Sequence, residues 1–265
     1  MQQLARCEDH GNRLIVVNSN TSKRNALSPD LYRVLINSMD LAAQEPRITS
    51  VILRSESGYF CAGGDLGHLA TRRDMPRDQR VARIEELHDV IRAVMNCPKP
   101  VIAAVEGGAA GAGVSLAFAC DMIVAEQDAT FTVAYVKAGL VPDGGLTSTL
   151  AAHLPRELVM RMALLGEPVT AERMFSLGAI SQIEPAGNVV PAALALADRL
   201  GAGPSAAQGR IKALVNSAHT SSRLDQMNAE RDAMADAIAT PEAAEGIAAF
   251  LEKRRPDFAK ARGKK

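Results

Sequence analysis

Two glycine-rich segments and one acid hold most of the chemistry open to this chain. FCAGGDL at 60–66 follows a β-branched run and a Ser57-Gly58 turn, and its paired glycines permit positive φ and expose backbone N–H donors. GGAAGAG at 107–113 comes directly after an apolar run and opens an apolar helix expected over 114–120. A dinucleotide site wants its glycines as G-x-G-x-x-G near an N-terminal strand, and a P-loop wants Gly-Lys-Ser/Thr; neither order is present. Two readings remain open from spacing alone. One is an oxyanion hole, in which small residues let a carbonyl oxygen reach the first, unpaired N–H groups of a helix. The other is close packing of helix on strand. Asp143, in VPDGG at 141–145, is turn chemistry in isolation. Gly113-Val-Ser115 begins like a nucleophile elbow, but Ala117 stands where the final glycine belongs. None of His10, His68, His88, His153 and His219 has an evident claim to a triad.

The elements that must position these residues alternate. Strands are expected at 14–17, 51–53, 101–105 and 122–125, each a short apolar run bounded by turn residues. A helix is expected over 28–43, with Ser28 as N-cap and Pro29 at the first helical position. Val81, Ile84, Leu87, Ile91, Val94 and Met95 recur at helical spacing. This alternation predicts an α/β arrangement with mostly parallel pairing. The last third reads as helical, with a hinge at 201–204 and a helix starting at Thr240-Pro241. The division expected is a core over 1–200 and a helical region over 201–265. Residues 67–80 read as a polar loop carrying Arg72, Arg73 and Arg77, and 260–265 as a frayed basic tail.

Composition excludes several classes. The 265 residues are 47% hydrophobic and 23% charged, as soluble globular chains are, and 30 basic side chains balance 30 acidic ones. A nucleic-acid partner is disfavoured by that balance and by the absence of Trp, with three Tyr and six Phe. The four cysteines form no C-x-x-C pair, which argues against a zinc site or disulfide framework. No signal-peptide pattern and no apolar run of about 18 residues is present, so a cytoplasmic protein without membrane contact is expected.

Taken in order, Lys23-Arg-Asn-Ala-Leu27, FCAGGDL at 60–66, PVIAAVEG at 100–107, GAG at 111–113, ACD at 119–121, GLVPDGG at 139–145 and EGIAAFLEK at 245–253 resemble the enoyl-CoA hydratase/isomerase (crotonase) family over nearly the whole chain. The resemblance implies a spiral of ββα units with a C-terminal helical region that makes trimer contacts and covers the active site. It implies an acyl-CoA thioester as ligand, coenzyme A entering as part of the substrate, and no prosthetic group or metal. By matching motifs, the N–H groups of Gly64 and Ala112 bind the thioester oxygen. Lys23, Arg24, Ala26, Ala62, Gly63, Asp65 and Leu66 match the segments that hold the CoA moiety. Phe250 and Lys253 match C-terminal residues that reach it. A homotrimer or dimer of trimers is implied.

The chain departs from the hydratase pattern where chemistry is decided. Hydration of a double bond uses two glutamates; the matching positions here are Ser115 and Tyr135, and neither hydroxyl is a comparable base near neutral pH. Both are expected to line the acyl pocket. Asp143 occupies the Pro-acid-Gly position at which isomerases of the family carry their single carboxylate, and the surrounding variant resembles the phenylacetate-pathway branch. The expected reaction is a shift of the double bond, with Asp143 moving a proton from C2 to C4. A hydratase or another thioester lyase is the alternative within the family. A catalytically silent binding homologue, such as its RNA-binding members, is the alternative outside catalysis.

Overall fold

The computed structural model describes residues 3–262. Along the chain, β1 (Ala5–Asp9) and β2 (Arg13–Asn18) form a hairpin, followed by a single 3-10 turn (Thr21–Lys23), α1 (Pro29–Gln44) and β3 (Ser50–Ser55). Then come α2 (Leu66–Ala70), α3 (Arg77–Asn96), β4 (Val101–Val105), β5 (Gly108–Ala110), α4 (Ala112–Ala119), β6 (Met122–Glu126) and β7 (Thr130–Thr132). A second 3-10 turn (Ala134–Ala138) leads to α5 (Leu146–His153), α6 (Arg156–Leu165), β8 (Pro168–Thr170), α7 (Ala171–Ser176) and β9 (Gln182–Glu184). The chain closes with α8 (Val189–Gly201), α9 (Ser205–Ala218), α10 (Arg223–Ile238), α11 (Pro241–Leu251) and α12 (Phe258–Ala261).

A large sheet runs β1-β2-β3-β4-β6-β9, parallel from β2 onward with β1 antiparallel at its edge. A small sheet runs β5-β7-β8, and a parallel bridge from Cys61 to Ala109 extends it by one residue. Successive passes of the chain place one strand in the large sheet and the next in the small one: β4 then β5, β6 then β7. That is the expected ββα spiral, and the α/β class with mostly parallel pairing is observed. Side chains alternate across the large sheet as period-two geometry requires. Leu14, Val16, Val51, Leu53, Ala103 and Val105 pack with α1, α3 and α4, while Ile15, Val17, Ile52, Ile102, Ala104 and Val124 pack under α8.

All four expected strands and the Ser28-capped helix are present, and the Ser28 hydroxyl accepts from the Leu31 N–H at 3.2 Å. Three expectations need correction. The polar loop over 67–80 contains α2, whose N-cap Asp65 accepts from the Gly67 N–H at 2.9 Å, and the first turn of α3. The last third is not purely helical, because β9 lies within it; a three-residue strand is too short to carry a period. The basic tail is ordered through Arg262: Ala261 is buried in α12, and the Arg262 guanidinium donates to the Gly201 and Gly203 carbonyls at 2.8 and 3.3 Å. Residues 263–265 lie outside the described ones.

Candidate active site

The helix opened by the second glycine segment starts at Ala112, two residues earlier than its apolar run suggests, which makes the Ala112 N–H its first donor. Gly111 precedes it at φ +52°, and every residue of α4 is buried, so Ala112 presents its N–H at the positive end of a helix shielded from water. The first glycine segment lies directly against it. Cys61 O accepts from the Ala110 N–H at 2.9 Å, and Gly63 holds φ +88°. A Cβ on Gly63 would stand 2.6 Å from Ala110 O and 3.2 Å from Ala112 N, and one on Gly113 would stand 2.4 Å from Cys61 O. Only glycine permits this approach of two backbones. Its result is that the N–H groups of Gly64 and Ala112 come from adjoining stretches of chain, and neither has an acceptor among the described residues. Two unpaired donors beside a helix N-terminus suit an oxygen that gains negative charge during reaction.

One helical turn along α4 lies Ser115, whose hydroxyl donates to the Asp143 carbonyl at 3.0 Å and lies 3.2 Å from Tyr135 Oη. Tyr135 donates to Asp143 Oδ1 at 2.7 Å. Each hydroxyl has one proton, and each proton is engaged on Asp143. Asp143 Oδ2 has no partner among the described residues, leaving one carboxylate oxygen to exchange a proton. Burial, and after it the Asp143 charge, push the Tyr135 phenol above its ordinary range, so it remains a donor. The Tyr32 phenol on α1 is raised by the same two causes. Gly144 and Gly145, at φ +63° and +74°, turn the chain immediately after Asp143. Gly144 is closed in by Ser115 on one side and Ile91 of α3 on the other, its would-be Cβ lying 3.0 and 3.4 Å from them.

The two hydroxyls expected to line an acyl pocket both bond to Asp143, Tyr135 to its carboxylate and Ser115 to its main-chain carbonyl. Spacing could not show this, because Tyr135 reaches Asp143 through a one-turn helix ended by Gly139 at φ +68°. His88 was also not legible as a site residue. Its Nε2 accepts from the Gly144 N–H at 3.3 Å, and its Nδ1 lies 3.2 Å from Glu85 Oε2.

The expected CoA-holding residues fall into two groups. Lys23 Nζ pairs with Asp65 Oδ2 at 2.5 Å, which with the Gly67 N–H holds the Asp65 carboxyl down at about 2. The Ala62 N–H donates to Arg24 O at 3.1 Å, the Leu27 N–H to Gly63 O at 2.8 Å, and the Ala26 N–H to Lys23 O at 3.1 Å, so 23–27 and 62–66 form one backbone-stitched wall. Arg24 takes φ +49° and places its guanidinium 4.1 Å from the centre of the Tyr59 ring. Leu66 is exposed at the start of α2. Phe250, 83% exposed, and Lys253, at φ +55°, sit at the end of α11, and no hydrogen bond or ion pair among the described residues ties them to that wall. Among the described residues no three His, Cys, Asp or Glu side chains are grouped as metal ligands.

The family model described as enoyl-CoA hydratase/isomerase matches residues 10–261. The chain is similar to 1,2-epoxyphenylacetyl-CoA isomerase of Escherichia coli K12, 33% identical over 88% of this chain and 90% of that protein. It is similar to 2,3-dehydroadipyl-CoA hydratase of the same organism, 32% identical over 92% of this chain and 94% of that protein. Among solved structures, an enoyl-CoA hydratase from Polaromonas sp. JS666 superposes with a TM-score of 0.92 at 40% identity, covering 95% of this chain and 98% of that one.

Proposed function

Because the chain belongs to the enoyl-CoA hydratase/isomerase family, we propose that it shifts the double bond of a 3-enoyl-CoA thioester, with Asp143 as the proton carrier. The observation that carries this reading is the cluster of Ser115, Tyr135 and Asp143, in which Tyr135 donates its proton to the carboxylate and Ser115 donates its own to the main-chain carbonyl of the same residue. The thioester oxygen lies between the Gly64 and Ala112 N–H groups. Asp143 Oδ2 removes a proton from C2; the C–H electron pair enters the conjugated system, and negative charge gathers on the thioester oxygen as a dienolate. A single preset donor to such an oxygen is worth about 3–4 kcal/mol. Asp143 then returns the proton to C4, and the double bond comes to rest between C2 and C3. One carboxylate serves both steps. Hydration needs a second group to activate water, and neither Ser115 nor Tyr135 has a free proton acceptor of carboxylate strength.

The wall formed by Lys23, Arg24, Ala26, Ala62, Gly63, Asp65 and Leu66 supports a CoA site on this face. We assign 1–200 to the catalytic core and 201–265 to a helical region for oligomerisation and active-site cover. Exposed Ile211, Val215, Met227, Met234 and Ile238 on α9 and α10 support a trimer or dimer of trimers. In that assembly Phe250 and Lys253 serve the CoA site across a subunit boundary.

The test is product analysis after incubation with trans-3-hexenoyl-CoA and, separately, 2-hexenoyl-CoA. The 3-enoyl substrate is expected to give an isomer of unchanged mass, and Asp143→Asn to lose about a thousandfold in rate. A product heavier by one water, formed equally by the variant, overturns the reading.

A further inference from the structure

The geometry points to His88 as a positioning residue that fixes the Asp143 turn through the Gly144 N–H, an inference that rests on Asp143 being the proton carrier. His88 and Ile91 lie three residues apart on α3 and so share a face, and both meet Gly144. Since Nε2 accepts from Gly144, a neutral ring carries its proton on Nδ1, and Nδ1 lies 3.2 Å from Glu85 Oε2. Arg92 fixes Glu85 in turn, its Nη2 lying 2.6 Å from Glu85 Oε1 and 2.6 Å from Asp89 Oδ1. The chain of contacts thus runs from Arg92 through Glu85 and the imidazole to the peptide that carries the Asp143 carbonyl. Ser115 holds that same carbonyl from the other side at 3.0 Å. Asp143 is accordingly gripped at its side chain by Tyr135, at its carbonyl by Ser115 and at the following N–H by His88. Without the imidazole the Gly144 N–H loses its one acceptor among the described residues. His88 touches no reacting atom; it sets where the carboxylate stands.

The full-length chain is tested with His88→Leu, which fills the space without an acceptor, and His88→Gln, whose amide oxygen can take the Gly144 N–H. On trans-3-hexenoyl-CoA, His88→Leu is expected to lose about ten- to a hundredfold in kcat, the cost of misplacing a catalytic group by up to about 1 Å. KM is expected to stay within about twofold because the CoA wall is untouched, and His88→Gln to restore most of kcat. Equal kcat in His88→Leu and wild type, or equal loss in both variants, overturns the inference. Nitrogen-15 NMR of the wild-type imidazole gives a readout independent of turnover. An unprotonated Nε2 with a proton on Nδ1 is expected, and the reversed tautomer overturns the inference whatever the enzyme catalyses. The expected tautomer in a protein inert toward 3-enoyl thioesters leaves the clamp standing and counts against the isomerase reading alone.

Discussion

The Tyr135 phenol has a single proton, and 2.7 Å from Asp143 Oδ1 that proton does two things. It fixes the carboxylate's rotation, and it leaves Oδ2 as the oxygen that exchanges. Tyr135→Phe removes one hydrogen bond to a charged group, worth about 1.5–3 kcal/mol, so kcat is expected to fall about ten- to a hundredfold in a steady-state assay. A variant as active as wild type would mean the bond does not orient the base. At this scale the sequence disclosed residue types but not bonds. Asp143 stood out because an acid between Pro142 and Gly144 matched an isomerase position. Ser115 and Tyr135 stood out because they were not glutamates. Their engagement with Asp143, and that of His88 with Gly144 56 residues away, depends on separate segments meeting, and no local pattern encodes such a meeting.

Among elements, the decisive contact is the crossing of residues 60–66 over the start of α4. Gly113→Ala would place a Cβ 2.4 Å from Cys61 O, an immovable backbone atom, and is expected to cost about 1–3 kcal/mol as overpacking does, read as a lowered midpoint in thermal unfolding. Gly58→Ala meets nothing within 4 Å but must hold φ +65°, so it bears conformational strain alone and is expected to cost less. A second joint ties α9 to the end of α3 and to the turns before β4 and β6. Lys212, its side chain 6% exposed, donates to Val94 O and Lys99 O and pairs with Asp121 Oδ2 at 2.8 Å. Lys212→Met strands a buried carboxylate and is expected to cost about 3–5 kcal/mol at neutral pH. Burial raises the Asp121 carboxyl above the usual range, and losing Lys212 raises it further. The folded variant then binds a proton more readily than its unfolded chain, so its stability rises as pH falls below neutrality, which denaturant titrations at two pH values would measure. The long elements were legible because β-branched runs and helical spacing mark them. β1 was not, since Arg6, Glu8 and Asp9 on an edge strand hide its alternation, and β5, β7 and β8 hold only three residues each.

Over the whole molecule, accessibility separates the four cysteines. Cys7 is exposed, while Cys61, Cys97 and Cys120 are buried, and burial pushes the Cys61 thiol up to about 12. Alkylation needs the thiolate, so native protein at neutral pH is expected to react at Cys7 alone and unfolded protein at all four, as mass spectrometry would count. Uptake at Cys61 in the native state would show that the glycine crossing opens. The spiral itself was legible from motifs strung along the chain, whereas the C-terminal clip of Arg262 onto the turn at 201–203 was not, because a basic tail reads as solvated until its partners are known. The proposed reaction is one in which a single gripped carboxylate moves a proton and adds no water, the charge gathering at two unpaired N–H groups. The most direct measurement is proton NMR of trans-3-hexenoyl-CoA incubated with the wild-type chain in D₂O. The account predicts a 2-enoyl product and no 3-hydroxyacyl signal, and no such product from Asp143→Asn. Prompt appearance of the 3-hydroxyacyl thioester, surviving that substitution, would contradict it.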